Sequence, residues 1–387
     1  MVFVVTAQIE HIILCKYRVK MTPDQGITLK SGFTTGTAAA AATKGALLLL
    51  VKNQAPDHVY VRFLTGEKIR IQMHTCARVG AQSARCSVIK DAGDDPDVTH
   101  KAEIGALVTY PVNSASESVV ITGGKGVGRV TKPGLGIPVG EPAITEGPRK
   151  MIVQSVEEVV QQYGIRGGVI TELFVPQGEI LAQKTLNARL GILGGISILG
   201  TTGVVRPMSH EAYIATIDAA LSVAGAAGLE QVILATGRRS ERYSQMRWNN
   251  LAEEAFVQIG DYFQMSLAKV AEKGLKKASL TVFFGKAVKM AQGVPNTHAA
   301  KTRLSLQKLS EWAFESTGSS RLTGRIAAAN TARHALDYIL PEFPEVIAQV
   351  GNRIVTSARR FAGAGVQIQS IIYDFEGNVI FDSEKTG

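Results

Sequence analysis

RLGILGGISILGTTGVV, residues 189–205, separates two stretches of chain that follow different structural rules. Glycine recurs through it too often for a helix interior or a packed strand, so it reads as a junction. Beyond it, from Tyr213, the pattern alternates: a helix to about Ala226, strand Gln231–Ala235, helices Glu241–Ile259 and Ser266–Lys273, strand Ser279–Phe284, and helical segments through Arg360. Strands spaced by helices imply crossover connections and a parallel sheet covered on both faces. The tail, Val366–Phe375 and Val379–Phe381 around Glu376-Gly377-Asn378, reads as a closing hairpin.

Upstream the chain is sheet-rich. A helix over Thr37–Val51, its start within reach of the Thr34, Thr35 and Thr37 hydroxyls, precedes a hairpin, His58–Leu64 and Lys68–Met73 around Thr65-Gly66-Glu67. Strands Arg78–Ile89, Glu103–Tyr110 and Ser118–Ile121 follow, then a helix over Met151–Tyr163 ended by Gly164 and a strand at Gly168–Val175. The expected fold is a sheet-rich α+β domain, residues 1–195, followed by a parallel-sheet, Rossmann-like α/β domain, residues 196–387.

Composition excludes several classes. With 387 residues, 45% hydrophobic and 19% charged, the chain can bury two cores, and no window offers the run of about eighteen apolar residues that a membrane span needs. Forty-two basic against 33 acidic side chains leave +9, scattered singly or in pairs such as Arg238-Arg239 and Lys276-Lys277. That scatter argues against nucleic acid and membrane surfaces and for a small polyanion. Cys15, Cys76 and Cys86 form an odd set without C-x-x-C spacing, which indicates neither a disulfide framework nor a thiolate metal site and makes a reducing cytoplasm the default. Residues 1–20 alternate like a strand rather than a signal peptide; a start at Met21 is the competing reading.

Five segments could carry chemistry. Ser31–Thr37 opens a helix and could hold an anion or be an ordinary cap. Lys90–His100 gathers Asp91, Asp94, Asp95 and Asp97 ahead of His100, suited to acid–base work or to a solvated turn, but without an EF-hand's spacing. Ile121–Gly136 is Gly-rich and carries Lys125, Arg129 and Lys132, without the G-K-[ST] of a phosphate loop; hairpin turns explain it as well. Gly194–Gly203 lies at the junction, as a ligand cleft or a hinge. Gly285 and Lys286, with His298 beyond, sit where a strand gives way to a helix, the carboxyl-end crevice in which open α/β sheets bind ligands. Lys286 and His298 could equally be surface residues.

The order and wording of these segments resemble one family, the S-adenosylmethionine-dependent cobalt-precorrin-5B C1-methyltransferases (CbiD) of anaerobic cobalamin biosynthesis. The stretches that carry the resemblance are GFTTGTAAAAATKGALLLL, VIKDAGDDPDVTHKAEI, VTKPGLGIPVGEPAI, LAQKTLNARLGILGGISILGTTGVVRPMS and GKAVKMAQGVPNTH, between about Lys30 and His298. Ala38 stands where members often carry Cys, and residues 299–303 supply no acidic side chain beside His298. The resemblance implies methyl transfer from S-adenosylmethionine to ring carbon C1 of a cobalt-containing, polycarboxylated tetrapyrrole; the cysteine count and histidine spacing offer no transition-metal site and methyl transfer needs none, so no protein-held metal is expected. The resemblance leaves a homo-oligomer and transient contact with neighbouring pathway enzymes open. Under it, Asp91, Asp94, Asp95, Asp97 and His100 are expected to orient the cofactor or move a proton. Thr34, Thr35, Gly36, Thr37, Gly200, Thr201, Thr202 and Gly203 are expected to bind the cofactor, and Lys125, Arg129, Lys132, Gly134, Lys286 and His298 the substrate. A non-catalytic tetrapyrrole carrier and a phosphotransferase using the Gly-rich segment are the alternatives.

Overall fold

The structure is a computed structural model that describes residues 29–112, 118–298 and 306–385; the expected strand within residues 1–20 and the Met21 start lie outside them. Helix α1, Thr35–Lys52, forms the centre of the first half. Its run Ala38–Ala42 is fully buried, because alanine combines the best helix propensity with the small radius that lets neighbours approach from every side. Around it stand the hairpin β1 (His58–Arg62) and β2 (Lys68–Gln72), then β3 (Thr75–Arg78), β4 (Ser83–Ile89), β5 (Glu103–Val112), β6 (Val119–Gly123), helix α2 (Glu146–Tyr163) and β7 (Gly168–Phe174). The central sheet runs β3-β4-β5-β7-β6, antiparallel except for the β7–β6 pair.

The Thr34 hydroxyl caps α1 by accepting the Thr37 N–H at 3.2 Å, and Asn53 closes the other end in the left-handed conformation. Thr34→Ala should therefore lower the unfolding free energy by about 1 kcal/mol. Urea denaturation checks this, and an unchanged midpoint would contradict it.

Helix α3 (Gly178–Ala182) packs against the first core and leads toward the junction; the second half contains α4 (His210–Ala226), β8 (Gln231–Ala235), α5 (Arg238–Arg247), β9 (Phe256–Gln258), α6 (Phe263–Glu272), β10 (Lys277–Phe283), α7 (Phe284–Ala291), α8 (Leu306–Thr317), α9 (Ser320–Ala327), α10 (Ala332–Ile339), α11 (Pro344–Ala362), β11 (Gln367–Tyr373) and β12 (Val379–Asp382). Its sheet has the order β9-β8-β10-β11-β12, with all pairs parallel except β11–β12. The chain thus leaves β8 toward one edge and returns past it to β10, so the carboxyl ends of β8 and β10 face a topological switch point. Mixed α/β architecture agrees with the sequence expectation.

Buried apolar side chains fall into two large clusters, one spanning Phe33 to Ile198 and one spanning Ile217 to Phe381. Residues beyond Gly195 still build the first: Gly195–Ile196 pairs with Gly126–Val127, and Val204–Val205 pairs with Gly32–Phe33.

Three expectations are corrected. Arg78–Ile89 is not one strand but the end of β3, a turn and β4. In that hairpin Cys76 stands opposite Cys86, and the two form a disulfide, Cα atoms 4.1 Å apart. Glu241–Ile259 is not one helix but α5, a 3-10 turn at Glu253–Ala255 and strand β9. Phe256-Val257-Gln258 is too short a run for periodicity to separate from a helix end. No helix among the described residues is long and apolar enough to cross a membrane.

Candidate active site

The two Thr/Gly segments expected to bind the cofactor meet each other. The Thr35 hydroxyl accepts the Leu199 N–H at 2.8 Å, Gly36 N–H donates to the Leu199 carbonyl at 3.1 Å, and the Thr37 hydroxyl donates to the Gly203 carbonyl at 2.8 Å. Thr34 N–H also donates to Gly203, at 2.9 Å. A side chain at Gly200 would meet Thr34, which explains glycine at that close approach. The start of α1 is therefore buried and holds a protein loop with the donors an anion would have used. Thr201 and Thr202 on the outer side of that loop are exposed.

The five acid–base candidates do not converge on one point, although His100 Nδ1 lies 3.9 Å from the Asp91 carboxylate. Asp91 pairs with Lys30 at 2.8 Å and accepts the Gly93 N–H; the bond and charge of Lys30, with Gly93, hold its carboxyl below the usual range. Asp94 accepts the Lys30 N–H at 2.6 Å. Asp95 accepts the Met208 N–H at 3.0 Å and so ties the Asp-rich loop to the segment entering α4. Asp97 pairs at 2.5 Å with Lys90, whose side chain is only 1% exposed, and accepts both Thr99 donors. His100 accepts the Ala92 N–H on Nδ1 at 3.0 Å. Most of these groups close the loop upon itself.

Among the substrate candidates, Lys125 is exposed, and Arg129 is exposed and donates to the Gly140 carbonyl at 2.8 Å. Lys132 instead reaches Glu254 of the second half at 2.5 Å, and Gly134, at φ 110°, lies where a side chain would strike the α4 backbone at Ser222. The basic Gly-rich segment is thus a contact between the halves as well as a charged surface.

Lys286 and His298 lie in a denser polar group. The Lys286 ammonium donates to the Thr236 carbonyl at 3.2 Å and the Gly260 carbonyl at 3.1 Å, just past the ends of β8 and β9, and pairs with Asp261 at 3.0 Å. Thr297 donates its hydroxyl to the same carboxylate at 2.8 Å. Burial pushes Asp261 up, but the bond and charge of Lys286, the Thr297 hydroxyl and nearby His298 outweigh it and hold the carboxyl ionised. Tyr213 stacks on Tyr262 with ring centroids 5.1 Å apart, and Tyr262 is hydrogen-bonded to His210. Burial, followed by the charges of Asp261 and Glu241, pushes the Tyr213 hydroxyl up, so it stays protonated. Glu241, buried on α5, takes Gln258 from β9 and, from the first half, Arg189 at 2.7 Å. The carboxyl ends of β8 and β9, the start of α4 and Arg189 of the first half therefore contribute to one polar cluster. Among the described residues no three His, Cys, Asp or Glu side chains are grouped to hold a metal ion.

Comparison with known proteins adds the family to this geometry. Residues 22–207 match the CbiD family and residues 296–384 the CbiD C-terminal domain. The chain belongs to the CbiD family. It is 40% identical over 371 residues to a cobalt-precorrin-5B C(1)-methyltransferase of Priestia megaterium, covering 95% of this chain and 100% of that one. A protein of the same name from Geobacillus kaustophilus is 42% identical, with 90% and 93% covered. A crystal structure of the cobalamin biosynthesis protein cbiD from Archaeoglobus fulgidus is 26% identical, covers 66% of this chain and 78% of that chain, and superposes with a TM-score of 0.37.

In this CbiD chain the sequence pointed to Lys286 and His298 but missed Arg189, Tyr213, Glu241, Asp261 and Tyr262. Reading residues 241–259 as one helix hid the end of β9. With Phe256–Gln258 recognised as a strand, the carboxyl-end rule leads directly to Gly260-Asp261-Tyr262. The carboxylate beside His298 comes from Asp261, not from the residues that follow the histidine.

Proposed function

We propose that this chain is a cobalt-precorrin-5B C1-methyltransferase that takes its methyl group from S-adenosylmethionine. The observation that carries this reading is the 40% identity over the whole length of a relative bearing that name. The surplus charge of +9 suits a polycarboxylated macrocycle. We divide the chain into two units that meet after Val205, where the first core ends, and place the reaction in the crevice between them.

The crevice fits S-adenosylmethionine chemically. Asp261 and Glu241 are carboxylates for a cation that carries a sulfonium and an amine, the Tyr213–Tyr262 stack offers an aromatic face, and Gly237 leaves open space where a side chain would stand. When bound, the donor supplies a methyl already activated by positive sulfur, so the chain has to position, exclude water and manage a proton. Asp261 keeps a fixed negative charge. The Tyr213 hydroxyl acts as a donor rather than a base. Lys286 holds the loops after β8 and β9 in place, and Lys125 and Arg129 attract the acid side chains of the macrocycle. The Asp-rich loop steadies the linker through Asp95.

Incubation with methyl-labelled S-adenosylmethionine and cobalt-precorrin-5B should place label in the macrocycle at C1, without ATP consumption. ATP-dependent phosphorylation would favour the phosphotransferase, and binding without turnover the carrier; either outcome would overturn the proposal.

A further inference from the structure

We propose that the first unit carries a second ligand site, for a compact polyanion bearing phosphate or carboxylate groups, in a cavity remote from the crevice. The cavity, about 780 Å³, opens between the second half of α1, the end of α2 and the edge of β1 that does not pair with β2. Its volume lies within the range of small-molecule sites. No residue of the crevice lines it, and Lys44 lies nine positions beyond Thr35, roughly 14 Å along α1 at the helical rise.

Its chemistry is cationic. Lys44, Lys52, Arg62 and Lys68 line the cavity against only two carboxylates, Asp57 and Glu158. Glu158 is already bound by the Lys44 ammonium and lies 3.5 Å from Arg62. Lys44 is 8% exposed, in a helix otherwise packed with alanine and leucine, and its ammonium also donates to the Tyr60 carbonyl at 2.8 Å, on the free edge of β1. Retaining a buried lysine there brings positive charge to the cavity wall that packing alone does not require. Lys52 and Lys68 face the same space and have no carboxylate within salt-bridge distance among the described residues. The ends of α1 and α2 each contribute roughly half a negative charge, which does not cancel the excess cations. Gln54, Gln161 and Gln162 add amide donors suited to anionic oxygens.

Calorimetric titration of the full chain with inorganic pyrophosphate, and separately with citrate, tests the site and distinguishes phosphate from carboxylate chemistry. At least one probe should bind once per chain, more weakly as salt rises. The Lys52→Ala/Lys68→Ala double variant should weaken that binding about 10-fold or more, while Lys276→Ala, an exposed lysine elsewhere, leaves it unchanged. Methyl transfer should be the same in all three proteins, so failure here is separable from failure of the proposed activity. Absence of heat with both probes at ~10 mM would overturn the proposal, because affinity weaker than that corresponds to only about 3 kcal/mol. Equal weakening by Lys276→Ala would overturn it too, since that outcome describes diffuse surface charge.

Discussion

Asp97→Ala should lower the unfolding free energy by about 3–5 kcal/mol, the range found when one partner of a buried ion pair is removed. The Lys90 ammonium is almost wholly buried, and Asp97 is its one ion-pair partner among the described residues. Asp97 also receives the Thr99 N–H and hydroxyl at 2.7 and 2.6 Å, so the variant leaves three donors to find other acceptors. Lys90→Met/Asp97→Ala should recover most of the loss, because no ionised amine is then left unpaired. Urea unfolding of both variants decides the matter, and a loss below about 1 kcal/mol for Asp97→Ala would place the pair among ordinary surface bridges. The pH dependence has a definite sign. Burial pushes the Asp97 carboxyl up, but the charge and hydrogen bond of Lys90, with the Thr99 bonds, pull it below its ordinary value. The unfolded chain therefore takes up the proton first as pH falls. The contribution is complete above about 3.9, the ordinary carboxylate value, and is lost as pH drops through the lower folded value.

Four carboxylates in seven residues signal that charge matters in that loop, but composition cannot say which group each charge will meet. Lys30 lies sixty-one residues before Asp91, and Met208 lies 113 after Asp95. Local patterns were more legible. α1, the β1–β2 hairpin, β8, β10 and the closing hairpin each rest on runs long enough for period and turn residues to agree. β3 and β9 do not: a four-residue and a three-residue strand beside turns give no period to read. The Cys76–Cys86 pairing was hidden by the same error, since opposition across a hairpin exists only once the turn between the strands is recognised. For the crevice, the strand-to-helix rule found Lys286, whereas Tyr213 and Arg189 reach it from the linker helix and from the first half, which only the folded chain brings together.

Contacts between the halves tie them together. Lys132 to Glu254, Arg189 to Glu241 and Asp95 to the Met208 N–H all cross between them, and each comes from a segment rich in glycine or aspartate. Conformations that only glycine adopts easily let the first half lie close to α4 and α5. The segments singled out for ligand chemistry are thus also the ones that hold the two halves together.

Lys286→Met should reduce kcat for methyl transfer by about 100-fold, the penalty expected when reacting groups are displaced by around 1 Å. Methionine preserves much of the chain's length and removes only the ammonium, which spans the carbonyls of Thr236 and Gly260 and the Asp261 carboxylate. Without it the loops after β8 and β9 lose their common anchor, while the sheet and core beneath them are untouched. The thermal midpoint should therefore stay near that of the wild type, and KM for the macrocycle should move far less than kcat. Asp261 supplies a readout that simple loosening would not produce. Burial still opposes its charge, but the largest opposing influence has gone, so its carboxyl titrates higher and the acid limb of the pH–rate profile moves to higher pH. Lys286→Arg, which keeps a cation beside Asp261, should restore the wild-type limb even where its bulk lowers the rate. If Lys286→Met retains the wild-type kcat, or loses rate only in proportion to folded protein, the crevice at the ends of β8 and β9 is not where the methyl group moves.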